Sequence, residues 1–196
     1  MSATVITTLL GMGRWEPGAQ GRMIRAAVEL FDERGFDQTT AGDIAARAGV
    51  TERTFFRHFA DKREVLFDGA HTMERTAHDA ILAAAADLSP FEVALVGMVA
   101  AGGLLADRRD HARRRARILA ANPGLREREL LKLAAITEST AETLRARGVP
   151  EPAASLAAHS AVTVFHVAFA RWVADEDAPD LAACMTETAA ALRALA

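Results

Sequence analysis

Arg53, Arg57, His58 and Lys62 fall within ten positions of one another, in and just after the stretch TAGDIAARAGVTERTFFRHF that runs from Thr40 to Phe59. Guanidinium, imidazole and ammonium groups at that density are donors suited to phosphate oxygens and guanine edges, and Thr51 adds a short hydroxyl. The chemistry on offer is recognition of an anion rather than bond breaking. Nothing else in the chain supplies catalysis: there is no P-loop, no Gly-x-Ser-x-Gly, no His-Glu-x-x-His and no paired-carboxylate motif. No enzyme activity, cofactor or metal is therefore expected. His71 and His78, like His159 and His166, are seven positions apart, about 10.5 Å along a helix and too far to share a metal. The single cysteine, Cys184, forms no intrachain disulfide, reads as a buried structural thiol and fits a reducing cytoplasm.

The elements that must position those donors are helical. Ile24, Ala27, Val28, Leu30 and Phe31 recur at 3.6-residue spacing with Arg25, Glu29, Asp32 and Glu33 between them, which predicts an amphipathic helix from near Pro17 to Gly35. Thr39 or Thr40 caps a second helix of about two turns through Ile44, Ala45 and Ala48. Thr51 caps a third, containing Phe55, Phe56 and Phe59, and Asp61 or Lys62 opens a fourth through Val65, Leu66, Ala70 and Met73. The turn Ala48-Gly49-Val50-Thr51 between two short helices is of helix-turn-helix type, with glycine supplying positive φ. Beyond it, breaks at Ser89-Pro90, Asn122-Pro123-Gly124, Gly148-Val149-Pro150 and Ala178-Pro179 divide an Ala- and Leu-rich remainder into bundle-length helices. The fold class is all-α, about nine helices in total: a three-helix N-terminal unit before a larger C-terminal bundle.

Composition limits the rest. The chain has 196 residues, 51% of them hydrophobic, with net charge -3. That is enough apolar material for a packed core, and no uninterrupted apolar run reaches the ~18 residues of a membrane span, so no membrane partner is expected. The charge balance hides an asymmetry: Arg14 to Arg63 carries nine Lys+Arg against eight Asp+Glu, the remainder 14 against 18. Residues 1–16 read as a flexible arm rather than an export signal, and Met12 is a candidate natural start. Residues 17–63 form the helix-turn-helix unit and 64–196 the bundle. A solvated charged face, on a helical protein-interaction module that binds no DNA, is the alternative reading of the donors.

The segment Arg22–Leu66 resembles the DNA-binding domain of the tetracycline-repressor (TetR) family of bacterial transcription regulators. The matching residues are Ala26-Ala27, Leu30-Phe31, Arg34-Gly35-Phe36, Thr39-Thr40, Asp43-Ile44-Ala45, Ala48-Gly49-Val50, Thr54-Phe55-Phe56, His58-Phe59 and Lys62. Gly13-Arg14-Trp15-Glu16-Pro17 is similar to the lead-in of many actinobacterial members. The resemblance implies a cytoplasmic, homodimeric repressor that binds double-stranded operator DNA and is released by a small-molecule effector. It implies phosphate contact by Thr40, Phe56, His58 and Lys62, and base or near-base contact by Thr51, Glu52, Arg53 and Arg57. Ala41 and Gly42 depart from members that reach DNA from the second helix, and Glu52 suits either a cytosine amine or an internal pair with Arg53 or Arg57.

The bundle is similar to the family's ligand-binding and dimerisation domain. An apolar or amphipathic effector is expected among helices four to eight, against Met73, Phe91, Leu95, Met98, Leu119, Leu133, Phe165, His166 and Phe169. The last two helices are expected to pair across a two-fold axis through Ala154, Ala157, Ala158, Ala161 and Ala168, with Trp172, Leu181, Met185 and Leu192 supplying apolar area. The run Asp107–Arg117 is the densest charge cluster. One side of it is expected to meet Asp32 or Glu33, with an anionic-ligand pocket as the sharper alternative.

Overall fold

The computed structural model describes residues 18–195. Among these, the chain is helical without strands: α1 (Ala19–Arg34), α2 (Ala41–Arg47), α3 (Glu52–His58), α4 (Ala70–Ala83), α5 (Pro90–Gly103), α6 (Arg109–Ala121), α7 (Pro123–Ala146), α8 (Ala153–Ala174) and α9 (Leu181–Arg193). Two 3-10 turns, Glu64–Phe67 and Ala106–Arg108, precede α4 and α6. The expected all-α, two-part architecture is present. The arm, the candidate start at Met12 and the helix signal at Pro17 lie outside the described residues.

Local chemistry sets most of the ends. Gly35 closes α1 at φ 85°, a region that L side chains rarely adopt. Ser89 and Glu92 cap the start of α5 reciprocally, and Pro90 and Pro123 occupy first-turn positions where no amide hydrogen is needed. The helix expected to run unbroken from Asp61 or Lys62 does not. Glu64–Phe67 forms a 3-10 turn instead, with Val65, Leu66 and Phe67 all buried, and α4 starts only at Ala70.

Two apolar clusters organise the packing. The first joins Met23, Ala27, Leu30 and Phe31 of α1 to Ile44, Ala45, Phe55 and Phe59, and continues through Val65–Phe67. Ile118 and Leu119 of α6 and Leu125 of α7 complete it, so the N-terminal unit is closed by the bundle and its core extends past residue 63. Each large side chain withdrawn from water here contributes about 1.5–3 kcal/mol.

The second cluster has α5 and α8 at its centre, flanked by α4, α7 and α9. Ala154, Ala157, Ala158, Ala161 and Ala168 let neighbouring helices approach α8, and Trp172 fills its far end. By length and composition α8 passes as a membrane-crossing helix. Here it lies against α5, α7 and α9, with eight residues buried.

Closest approach occurs at Gly97, where a Cβ would stand 2.6 Å from Ile81 Cγ1 and 3.0 Å from the Ala77 carbonyl. Gly97→Ala should therefore destabilise the bundle by about 1–3 kcal/mol through overpacking. Gly103→Ala, which meets nothing within 4 Å, should be neutral or slightly stabilising. Urea unfolding of both variants checks the contrast, and equal midpoints would contradict the packing described.

Candidate nucleic-acid interface

Two seven-residue helices need external support, and the first source is capping. The Thr40 hydroxyl accepts from the Asp43 amide at 3.1 Å and donates to Asp43 Oδ2 at 2.7 Å, while the Thr40 amide donates to the same carboxylate at 2.8 Å. Gly49 turns the chain at φ 68°, and the Val50 amide reaches back to the Ala45 carbonyl at 2.9 Å. Thr51 then caps α3 by accepting from the Thr54 amide at 3.1 Å. Arg22 Nε donates to the Ala48 carbonyl at 3.1 Å, and Arg47 grips Glu33 at 2.9 Å, so α1 holds both the turn and α2.

Lys62 has a different place from the one expected. It sits in the turn after α3 rather than at the opening of α4, and its ammonium donates to the carbonyls of Phe36 (2.7 Å), Asp37 (3.4 Å) and Thr39 (2.9 Å), 4.3 Å from the Phe36 ring centroid. An ammonium has three protons, and all three are occupied by the α1–α2 turn. Lys62 thus positions the reading elements instead of offering a free donor to phosphate.

What α3 presents outward is Thr51, Glu52, Arg53, Phe56, Arg57 and His58, all exposed, while Phe55 and Phe59 anchor the inner side. Arg53 and Arg57 have no hydrogen bond or ion pair among the described residues, Glu52 included, so neither is committed inside the subunit. Phe56 is 50% exposed, its ring edge-on to Phe55. A phenyl ring donates no hydrogen bond to phosphate; the contact it can make is apolar, with a sugar or a thymine methyl.

The expected pocket residues divide. Met73, Met98, Leu133 and Phe165 border one apolar cavity together with Ala101, Ile136 and Val162, but its volume is only about 10 Å³. Phe91, Leu95 and Phe169 pack on the same core without bordering it. Leu119 belongs to the N-terminal cluster, and His166 is exposed on the outside of α8, so neither faces the cavity.

The expected dimer face needs correction too. Ala157, Ala161, Ala168, Trp172, Leu181 and Met185 are buried in the subunit's own core and Leu192 packs against it, so none of the first six has surface left to share. The outward stripe of α8 is instead Leu156 (64% exposed), His159, Thr163, Val167 (50%), Ala170 and Ala174. On α9 it is Ala182, Thr186 and Ala190, continued by Ala194 just past the helix end.

Between reading head and bundle lies a charged junction. The expected contact with Asp32 is made by Arg117 at 3.3 Å; Glu33 is taken by Arg47. Arg115 donates to the Leu66 carbonyl at 2.7 Å, pairs with Glu129 at 2.9 Å and lies 5.2 Å from the Phe67 centroid. Arg128 approaches the same ring and pairs with Glu64. At the other end of the run, Arg109 donates to the carbonyls of Trp172, Asp175 and Ala178, and Arg113 to that of Val173, fastening α6 to the end of α8.

Comparison with known proteins agrees with this layout. Residues 23–68 match the profile of bacterial regulatory proteins of the tetR family, and residues 88–195 match that of the MftR C-terminal domain. The HTH-type transcriptional regulator TcmR of Streptomyces glaucescens is 52% identical over 44 residues, which span 22% of this chain and about a fifth (20%) of TcmR. Thermus thermophilus FadR, a transcriptional repressor solved with lauroyl-CoA, superposes with TM-score 0.56 at 27% identity, covering 90% of this chain and 92% of its own. Bacillus subtilis FadR with stearoyl-CoA shares the fold at TM-score 0.56 and 22% identity, over 88% and 96%.

Two outcomes follow from the head's construction. Lys62→Met removes three bonds from a charged donor and should destabilise the protein by about 2 kcal/mol in urea unfolding; wild-type stability would show that the ammonium is not a strut. The second outcome concerns pH. Hydrogen bonds from Thr40 hold the Asp43 carboxyl below its ordinary range, and Arg47 does the same for Glu33. A lowered folded pKa contributes stability above the unfolded value and loses it as pH falls through the folded one. Melting temperature should therefore hold near neutrality and drop below about pH 4, and Asp43→Asn should flatten that drop.

Proposed function

The chain belongs to the TetR family of bacterial regulatory proteins, and from that membership we propose that it is a homodimeric, cytoplasmic repressor that reads operator DNA with α3 and is released by a small amphipathic ligand. The observation that carries the reading is the outer face of α3. Arg53 and Arg57 stand uncommitted beside Phe56 and His58, on a helix whose position is fixed from every other side. Arg53 and Arg57 are assigned to bases or nearby phosphates and His58 to the backbone, while Phe56 supplies apolar contact; Thr40, whose hydroxyl proton goes to Asp43, serves as the cap of α2. Thr51 and Glu52 complete the near-base set.

A two-fold operator needs two such faces about 34–36 Å apart, or a multiple of that, and the outward stripes of α8 and α9 suit the pairing. Small residues on both let helices of two subunits approach, and Leu156 and Val167 contribute apolar area. No catalytic role is assigned to any residue.

For the ligand, an acyl thioester of the lauroyl-CoA class is the proposed effector, by analogy with Thermus thermophilus FadR. The 10 Å³ cavity holds about one water at most, so α4, α5, α7 and α8 must part to admit a chain. Displacing α8 would carry α6 with it through Arg109 and Arg113. Arg115 and Arg117 then transmit the shift to the 3-10 turn and to α1. A ligand that fits only the parted state lowers operator affinity by its differential binding energy.

Mobility shift on duplexes selected from a random pool tests the reading. Binding should weaken steeply with salt, Arg57→Ala should lose about tenfold or more, and lauroyl-CoA should release the complex. Selection that enriches no sequence would sink it. Val167→Arg should yield a folded monomer by sedimentation, with operator affinity lost; a dimer of unchanged strength would place the interface elsewhere.

A further inference from the structure

The reading head touches α6 along a narrow ridge with an open cleft on either side. One cleft, about 500 Å³, lies between the end of α1 and Arg117–Asn122. The other, about 730 Å³, lies between Gly21, Ile24 and Arg25 of α1 and the stretch Ala106–His111. The larger falls within the range of small-molecule sites and is separate from the apolar cavity, sharing no lining residue with it.

Its walls are unequal in charge. Arg25 enters from the head and Arg108 from the bundle, and neither has a hydrogen bond or ion pair among the described residues. Arg109 also lines the cleft, but its guanidinium is committed to the carbonyls at the end of α8. Asp107 and Asp110 oppose the two free guanidiniums. Behind them, His111 is half-buried, and burial together with Arg115, Arg108 and Arg114 holds its imidazole neutral-leaning, below the usual range. Six charged or titratable side chains therefore meet here: three arginines, one of them committed, against two carboxylates, with a neutral-leaning imidazole.

We propose that this cleft is a binding site for a phosphate-bearing anion, clamped between Arg25 on the reading head and Arg108 on the bundle. Two guanidiniums on separately packed elements can each fork onto phosphate oxygens, so an occupant bridges the two parts of the molecule at the ridge on which one rests against the other. Pyrophosphate chemistry from two sources would satisfy the site: a free anion, or the nucleotide end of a coenzyme A thioester. Occupancy requires no operator and is measurable without DNA.

Calorimetric titration of the full-length protein with inorganic pyrophosphate, coenzyme A, lauroyl-CoA and laurate tests this. Pyrophosphate or coenzyme A should bind, and Arg25→Gln and Arg108→Gln should each weaken that binding about tenfold or more. Arg34→Gln, on α1 but outside the cleft, should leave it unchanged, and laurate binding should respond to none of the three. Comparable affinity for pyrophosphate and coenzyme A identifies a free-anion site; binding of coenzyme A alone identifies the nucleotide end as the occupant. Absence of binding by both, or equal weakening in all three variants, overturns the proposal. The operator reading stands or falls separately, on the mobility shift.

Discussion

A seven-residue helix does not persist in water by itself, because the hydrogen bonds it closes barely offset the cost of nucleating it. The N-terminal unit contains two such helices, and the proposed reading needs α3 to present Arg53, Arg57 and His58 at fixed positions. Everything around them answers that constraint. Phe55 and Phe59 root α3 in the core, Thr51 and the Thr40–Asp43 pair satisfy its and its neighbour's first amides, and Arg22 and Arg47 tie the turn and α2 to α1. Lys62 closes the arrangement by gathering three carbonyls of the α1–α2 turn under one charge.

Rigidity of this kind explains how a chain of net charge -3 can serve as a reader of a polyanion. A few donors held at one face, and doubled in the proposed dimer, would replace a bulk basic excess. The same constraint leaves the head dependent on the bundle, since Ile118, Leu119 and Leu125 complete its core. Displacement of α6 therefore cannot leave the head indifferent. Phe67, flanked by the guanidiniums of Arg115 and Arg128, is the point at which that dependence is most concentrated.

Local signals made much of this legible in the sequence. Glycine at 35 and 49, threonine at 40 and 51, and proline at 90 and 123 act within one turn of themselves, and each ends or begins a helix where expected. Direction was not legible. Arg109 and Lys62 are cations in any reading, but only packing decides that both meet backbone carbonyls. On α8, alanine and larger apolar residues occur all round the helix, so periodicity does not say which stripe faces outward. Leu156 is exposed and Ala157 buried, the reverse of what side-chain size suggests. The run of arginines from 108 to 117 divides among three tasks: holding α8, holding the head, and lining a cleft. Sequence order carries no trace of that division.

The central claim is that the outer face of α3 reads base sequence. Its most direct test is the preference of the wild-type protein and the Arg53→Ala/Arg57→Ala double variant for a selected duplex over a scrambled one, by fluorescence anisotropy at a single salt concentration. The wild type should prefer the selected duplex by about a thousandfold or more, and the double variant should lose nearly all of that preference while remaining folded and dimeric. A double variant that discriminates as well as the wild type would contradict the account.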